Sequence, residues 1–159
     1  MTNAHFIKKA QKDYPESGIK KGDSYWHWAF AFGPKYKSKT QPTRSQLTRS
    51  TFYSALFELE DTLGKRFEGI ITSEEIQSGI DDLVSEIESL RDETQDSLDN
   101  MPEQLKDSSP NQERIDGLES WVCDLQSIDT DIDEDMKDKQ KIERAEEIIE
   151  EIMDTSSGI

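Results

Sequence analysis

Cysteine and histidine are scarce in this chain, which contains one cysteine, Cys123, and two histidines, His5 and His27. A single thiol excludes an internal disulfide, and so few soft ligands exclude a structural zinc site built from four side chains. Cys123 lies in the apolar-rich run WVCDL, where we expect it to be a small buried side chain.

Long apolar runs and catalytic motifs are also absent. No segment reaches the ~20 apolar residues that span a bilayer, and the N-terminus lacks a signal-peptide stretch. Glycine-rich phosphate loops, nucleophile elbows and HExxH zinc motifs are missing too. We therefore expect a cytoplasmic protein without membrane contact, enzymatic activity, catalytic residues, bound metal or cofactor.

Acidic residues, by contrast, are abundant, with 35 Asp and Glu against 19 Lys and Arg and a net charge of −16. Positions 51–159 carry a net charge of −23, whereas positions 1–50 carry +7. This asymmetry predicts two surfaces with different partners, and nucleic acid would repel the acidic one. A hydrophobic content of only 32% favours slender helices with narrow apolar seams.

The segment 73–100 predicts the helix around which the chain is organised. Its apolar residues follow steps of four and three, which is the spacing of a coiled-coil seam: Ile76, Ile80, Leu83, Ile87 and Leu90. Thr94, Ser97 and Met101 continue this register. Ser73 is the predicted N-cap, and Pro102 cannot continue the helix.

Three further helices are predicted on the same criterion. They cover about 50–66, 110–128 and 134–153, with apolar stripes at Phe52, Leu56, Leu59 and Leu63, then Ile115, Leu118, Val122 and Leu125, then Ile142, Ala145, Ile149 and Ile152 with Ile148 beside them. The connector of about ten residues between the second and third long helices favours an antiparallel pair. The tail DTSSGI is predicted to fray.

The N-terminal part predicts a short helix over 3–12 and then a β-hairpin. In YWHWAFAF (25–32), alternation places Trp26, Trp28, Phe30 and Phe32 on one face, which we expect to be core. Gly33-Pro34 forms the turn, and KYKSKT (35–40) returns with its lysines on one side. The predicted fold is therefore mainly α (α+β), an elongated antiparallel coiled-coil bundle (48–159) with an N-terminal β-hairpin module (1–47).

An acidic loop precedes the last predicted helix. Its alternating carboxylates, Asp129, Asp131, Asp133 and Asp135, are typical of the start of a calcium-binding loop. Glu134 stands where that loop needs a glycine, and Gln140 stands where it needs a bidentate glutamate. We therefore predict a solvated loop that binds no calcium.

Three segments, AQKDYPESGIKKGDSYWHW (10–28), SKTQPTRSQLTRSTF (38–52) and DNMPEQLKDSSP (99–110), resemble segments of small proteins encoded by bacteriophages and bacteria. The resemblance covers most of the chain and brings no site residues with it. It implies a cytoplasmic protein of phage or prophage type.

Two functions are compatible with these observations. The first is a non-enzymatic interaction module, in a phage setting an inhibitor of a host defence or nucleic-acid-handling protein, which occludes a basic surface or mimics DNA. Its partner-binding residues are Glu74, Glu75, Asp81, Asp82, Glu86, Glu88, Asp92 and Glu93. The less favoured alternative is direct nucleic-acid binding through the hairpin, by Lys20, Lys21, Trp26, Trp28, Lys35, Lys37 and Lys39. The helical seam is also compatible with a homodimer.

Overall fold

A computed structural model of the chain describes residues 1–155, which contain five α-helices and one small antiparallel sheet. The chain divides into two compact units, Met1–Glu58 and Leu59–Ile159. The division falls within the first long helix, later in the chain than the boundary predicted between residues 47 and 48. The expected fold class, mainly α with a small β part, is confirmed.

The sheet has three strands, β1 (His5–Ile7), β2 (Tyr25–Ala29) and β3 (Lys35–Ser38), paired antiparallel in that order. The predicted hairpin supplies β2 and β3, with Trp28 opposite Tyr36. The predicted helix over 3–12 is wrong, because this stretch supplies the edge strand β1, with Phe6 opposite Trp26. A helix of ten residues is marginal in isolation, whereas a third strand stabilises a sheet that two strands alone would not hold.

Both faces of β2 contribute to the core of the N-terminal unit. Tyr25 packs against the segment 10–19 on one face, and Trp28 is buried on the other. The predicted aromatic core row is therefore only partly correct. Trp26 and Phe30 are half-buried, and Phe32 is 95% exposed. The strand ends before Phe30, so the alternation that would have turned the last two aromatics inward does not continue.

Helix α1 (Thr51–Arg66) begins directly after Ser50. Ser50 Oγ accepts a hydrogen bond from the backbone N–H of Tyr53 at 3.3 Å. The four residues of its predicted stripe are all buried: Phe52, Leu56, Leu59 and Leu63. Phe67, directly after the helix, is also buried.

Helix α2 (Ser73–Asp99) is capped by Thr72, one residue earlier than predicted. Thr72 Oγ1 accepts a hydrogen bond from Glu75 N at 3.3 Å and donates one to Glu75 Oε2 at 2.8 Å, which is a capping box. All five predicted seam residues are buried, from Ile76 to Leu90. Beyond them the seam passes through Thr94 and Leu98, and the predicted Ser97 is exposed. A straight helix has 3.6 residues per turn and drifts from a strict heptad, so a four-residue step brings Leu98 inward.

After the short helix α3 (Glu103–Lys106), helix α4 (Asn111–Ser127) runs antiparallel to α2, as predicted. At one end Asn111 Nδ2 donates to Ser97 Oγ at 3.4 Å. At the other end the N–H of Ile132, just beyond α4, donates to Ser73 Oγ at 2.8 Å. The predicted stripe of α4 is buried, and Trp121 joins it.

Helix α5 (Asp138–Thr155) runs antiparallel to α4. Arg144 Nη2 donates to the carbonyl of Asp129 at 3.1 Å, and Trp121 Nε1 donates to Thr155 Oγ1 at 3.1 Å. Its buried residues are Ala145, Ile148 and Ile152. The predicted stripe was therefore wrong at two positions, since Ile142 is 43% exposed and Ile149 is only half-buried.

Two smaller predictions concern single segments of the helical unit. Cys123 is exposed and not buried, because Trp121, Val122 and Leu125 occupy the inward positions of α4. In the tail, Asp154 and Thr155 belong to α5, and residues 156–159 lie outside the described residues.

Candidate functional site

The eight carboxylates predicted to bind a partner lie on α2, away from its buried seam, and are called the acidic face here. Seven of them are exposed, and Glu88 is half-buried. At 100° per residue they form two rows along the helix, one through Glu75, Asp82, Glu86 and Glu93, the other through Glu74, Asp81, Glu88 and Asp92. The exposed serines 78, 85 and 89 lie between the rows. The register of the seam therefore places all eight carboxylates outside the buried side of α2, and their role in binding a partner stays a prediction.

The composition of α2 is unusual for an exposed helix. Its 27 residues contain ten carboxylates and one basic residue, Arg91. Asp82 and Glu86 are separated by four residues, as are Glu88 and Asp92, so like charges are neighbours on the helix surface. Such pairs destabilise a helix by about 0.2–0.5 kcal/mol each.

Two arginines neutralise part of the acidic face. Arg66, at the end of α1, forms an ion pair with Glu86. Arg91 pairs with Asp92 at 2.8 Å and approaches Glu88 at 3.9 Å. Hydrogen bonding to Asp92 raises the pKa of Arg91, and the nearby Glu88 adds to the effect. These three carboxylates therefore have partners within the chain.

The remaining five carboxylates are paired weakly or not at all. Glu75 belongs to the capping box, and Asp81 Oδ1 accepts a hydrogen bond from Gln77 Nε2 at 2.9 Å. Within residues 1–155, Glu74, Asp82 and Glu93 form no ion pair or hydrogen bond. Their charges are available to a partner outside the described chain.

The residues predicted for nucleic-acid binding do not form one surface. The register of β2 and β3 places Lys37 opposite His27 and Lys35 opposite Ala29, on one face of the sheet. Trp26 and Trp28 point to the other face, where Trp26 lies in a tilted contact with Phe6 at 5.1 Å and Trp28 stacks on Tyr36 at 5.6 Å between ring centres. The lysines and the aromatic platforms are thus separated by the thickness of the sheet.

Lys20, Lys21 and Lys39 belong to a small structural network around Asp23. Asp23 Oδ2 accepts a hydrogen bond from Lys20 N at 3.0 Å and pairs with Lys39 Nζ at 2.9 Å. The N–H of Lys21 donates to Asp13 Oδ1 at 2.6 Å. The Lys20 N–H, followed by the Lys39 ammonium, lowers the pKa of Asp23. Lys39 therefore has a partner within the fold.

A groove that the sequence did not indicate lies beside Lys35 and Lys37. It is lined by the segment 12–17 and centred on Tyr14. Lys37 Nζ lies 4.3 Å and Lys12 Nζ 5.7 Å from the centre of the Tyr14 ring, which is cation–π geometry. The ring of Tyr14 also contacts the ring of Tyr25. A side-chain hydrogen bond with Tyr14, together with burial, raises the pKa of Tyr25. An isolated antiparallel β-bridge between Tyr14 and Ile19 positions the groove. No local pattern in the sequence predicts this bridge.

The acidic loop at 129–135 is ordered by its own backbone. The N–H groups of Asp131 and Asp135 donate to the side chains of Asp129 and Asp133, and Ile132 is buried. No group of three or more metal-ligating side chains occurs among residues 1–155.

Comparisons with protein-family models, curated proteins and solved structures give no match. In the described part of the chain, no helix combines the length and apolar character needed to cross a membrane.

Proposed function

We propose that the protein is a non-enzymatic interaction module whose acidic face engages a basic surface on a partner protein. In this proposal, the antiparallel helices form a coiled-coil arm that presents α2. The observation that supports it is the ratio of ten carboxylates to one arginine on α2, with Glu74, Asp82 and Glu93 unpaired within residues 1–155.

The like charges of α2 lower the stability of the helix and bring the isolated chain no benefit in return. A helix that needed only solubility could alternate Glu and Lys at four-residue spacing, which stabilises it by about 0.2–0.5 kcal/mol per pair. Helix α2 instead retains like-charge neighbours that no arginine neutralises, such as Glu93 and Asp96 at three-residue spacing. A basic partner would convert this repulsion into attraction and would accelerate association.

Occlusion of a basic surface fits the charge density better than mimicry of a duplex by α2 alone. Ten carboxylates over 27 residues give about one charge per 4 Å of helix, at a rise of ~1.5 Å per residue. Duplex DNA carries one charge per ~1.7 Å of its axis. Mimicry would therefore need the carboxylates of α4 and α5 as well. The phage or prophage setting, a host defence target and a cytoplasmic location are parts of the proposal that rest on the segment resemblance.

The test compares two variants with the same change in charge. Asp82→Lys with Glu93→Lys reverses two unpaired positions of the acidic face. Glu146→Lys with Glu150→Lys reverses two exposed positions of α5. A partner is first identified by cross-linking the wild-type chain in a bacterial lysate and mapping the cross-links onto the sequence.

The affinity and on-rate for that partner are then measured across a range of salt concentrations. We expect the α2 variant to lose most of the affinity and its salt dependence, and the α5 variant to keep both, with circular dichroism confirming helicity in each. Equal binding by the two variants would show that the acidic face is only a solvated surface.

A second candidate is binding of nucleic acid by the N-terminal unit through phosphate contacts. The observation that favours it is that Lys12, Lys35 and Lys37 line the Tyr14 groove without forming an ion pair within residues 1–155. Asp13 and Glu16 line the same groove, so its net charge is +1. Since Trp26 and Trp28 face the other way, base stacking on these tryptophans is not part of this candidate.

Fluorescence anisotropy with a labelled single-stranded oligonucleotide tests it. Lys35→Gln with Lys37→Gln should weaken binding and lower the salt slope by about 0.7 per lost phosphate contact. Lys20→Gln with Lys21→Gln removes the same charge outside the groove and serves as the control. Equal loss in both pairs would indicate attraction by net charge and no site at the groove.

A further inference from the structure

The two histidines of the chain, distant in sequence, lie directly opposite each other in the sheet. His5 of β1 pairs with His27 of β2, and their ring centres are 5.4 Å apart with an angle of 30° between the planes. Both side chains project from the same face, since opposed residues of an antiparallel pair share a face. No histidine pattern in the sequence predicted this, because β1 was expected to be helical.

We propose that His5 and His27 form a two-histidine site for a divalent transition-metal ion of the kind that prefers imidazole, such as Ni²⁺, Cu²⁺ or Zn²⁺. A metal–nitrogen bond of about 2.0–2.1 Å places the metal about 3.2 Å from the centre of the ring. Two rings bound at a tetrahedral angle would then have centres about 5.2 Å apart. The observed 5.4 Å is close to this value, so the spacing of the two rings is compatible with a shared ion.

The ring nitrogens are available as ligands. Within residues 1–155 neither imidazole forms a hydrogen bond or an ion pair, and both residues are at least partly exposed. Thr2 and Asn3 line the same pocket and offer oxygen atoms beside it. Lys35 also lines this pocket, and its positive charge opposes any cation. The site therefore selects ions that bond strongly to imidazole over Ca²⁺ and Mg²⁺, which prefer oxygen ligands.

Metal binding would have a mechanical consequence for the N-terminal unit. Strand β1 has only three residues and lies at the edge of the sheet, where short strands open readily. A metal shared by His5 and His27 would join β1 to β2 across the strands. Because the ion would bind the folded sheet and not the open one, it would stabilise the unit in proportion to its concentration.

The exposed thiol of Cys123 binds the same metals, so the test uses the full-length chain with Cys123→Ser. Isothermal titration with Ni²⁺ should show one site. His5→Gln and His27→Gln should each weaken it at least about tenfold, since removal of even a supporting partner of a ligand costs about 10- to 100-fold. Amide signals of β1 and β2 in NMR spectra should shift or broaden with Ni²⁺ and not with Mg²⁺.

Two outcomes would overturn the proposal. Nickel binding that survives both histidine substitutions would place the metal on the carboxylates or the terminus, and absence of any saturable site would exclude it altogether. Circular dichroism and the NMR spectrum without metal confirm that each variant is folded. His5 lies on the exposed edge strand, so His5→Gln remains an informative variant if His27→Gln perturbs the sheet.

Discussion

An alanine at Gly79, in the second turn of α2, would have two opposite effects on stability. A Cβ at Gly79 would lie 2.7 Å from Cε1 and 3.2 Å from Cζ of Phe67. Phe67 is 1% exposed, so its ring cannot swing into solvent. The glycine therefore allows α2 to approach the residue that follows α1 closely.

Helix propensity favours the alanine, because glycine in a helix interior costs ~1 kcal/mol relative to alanine. Overpacking opposes it, since an extra methyl group in a filled core typically costs about 1–3 kcal/mol. A distance of 2.7 Å is well inside van der Waals contact, so we expect the clash to prevail. Gly79→Ala should then lower the free energy of unfolding by up to about 2 kcal/mol, the difference between these terms.

In a chain that carries Phe67→Leu, Gly79→Ala should change the free energy of unfolding in the opposite direction. Phe67→Leu removes the two ring atoms nearest to the new methyl group. In that background Gly79→Ala should be stabilising, by up to ~1 kcal/mol. The four chains of this double-mutant cycle are compared by urea denaturation followed by far-UV circular dichroism. Ser78→Ala, at an exposed position of the same helix, should have the same small effect in both backgrounds.

A stabilising effect of Gly79→Ala of equal size in both backgrounds would refute the packing argument. It would mean that Phe67 and α2 are not in contact in solution, because a coupling of about 0.5–3 kcal/mol is expected for groups that touch.

Two further predictions concern the seam and the Asp23 network. Ile87 is fully buried, so Ile87→Asp should destabilise the helical unit by about 3–5 kcal/mol in thermal or urea unfolding, whereas Ser85→Asp, exposed on the same helix, should have little effect. The lowered pKa of Asp23 means that its contribution to stability is present above the unfolded carboxyl pKa of about 3.9 and is lost as the pH falls through the folded value. Asp23→Asn should therefore reduce the acid-side loss of stability, and an unchanged acid profile would contradict this assignment.

The helices could be predicted because each carries its own periodic signal. The stripe of α1 and the seam of α2 up to Leu90 are buried as predicted, since a 3.6-residue period determines which side can face a core. Errors arose where two apolar residues competed for one position. In α5 the pattern admitted either Ile148 or Ile149, and only packing against α4 selects Ile148.

Strand β1 could not be predicted because its signal is not local. His5, Phe6 and Ile7 are compatible with a helix or a strand, and three residues are too few for a period to emerge. The pairing of Phe6 with Trp26 makes this segment a strand, and that contact joins positions twenty residues apart. The same long-range pairing assembles the two histidines, so the candidate metal site was as inaccessible to sequence reasoning as the strand itself.

The pairing register of β2 and β3 also determines which chemistry the N-terminal unit can offer. Alternation in the sequence places Trp26 and Trp28 on one face of β2 and His27 on the other. It does not predict which of these faces the lysines of β3 share. Pairing His27 with Lys37 places the lysines with the histidine, and a slip of one residue would have placed them beside the tryptophans. In the slipped register the same residues would form a basic aromatic platform suited to stacking bases. In the observed register Trp26 contacts Phe6 and Trp28 stacks on Tyr36, while His27 and the lysines of β3 share the opposite face. A single register step, set by the turn between Ala29 and Lys35, therefore decides whether the lysines of β3 lie beside the tryptophans or beside His27.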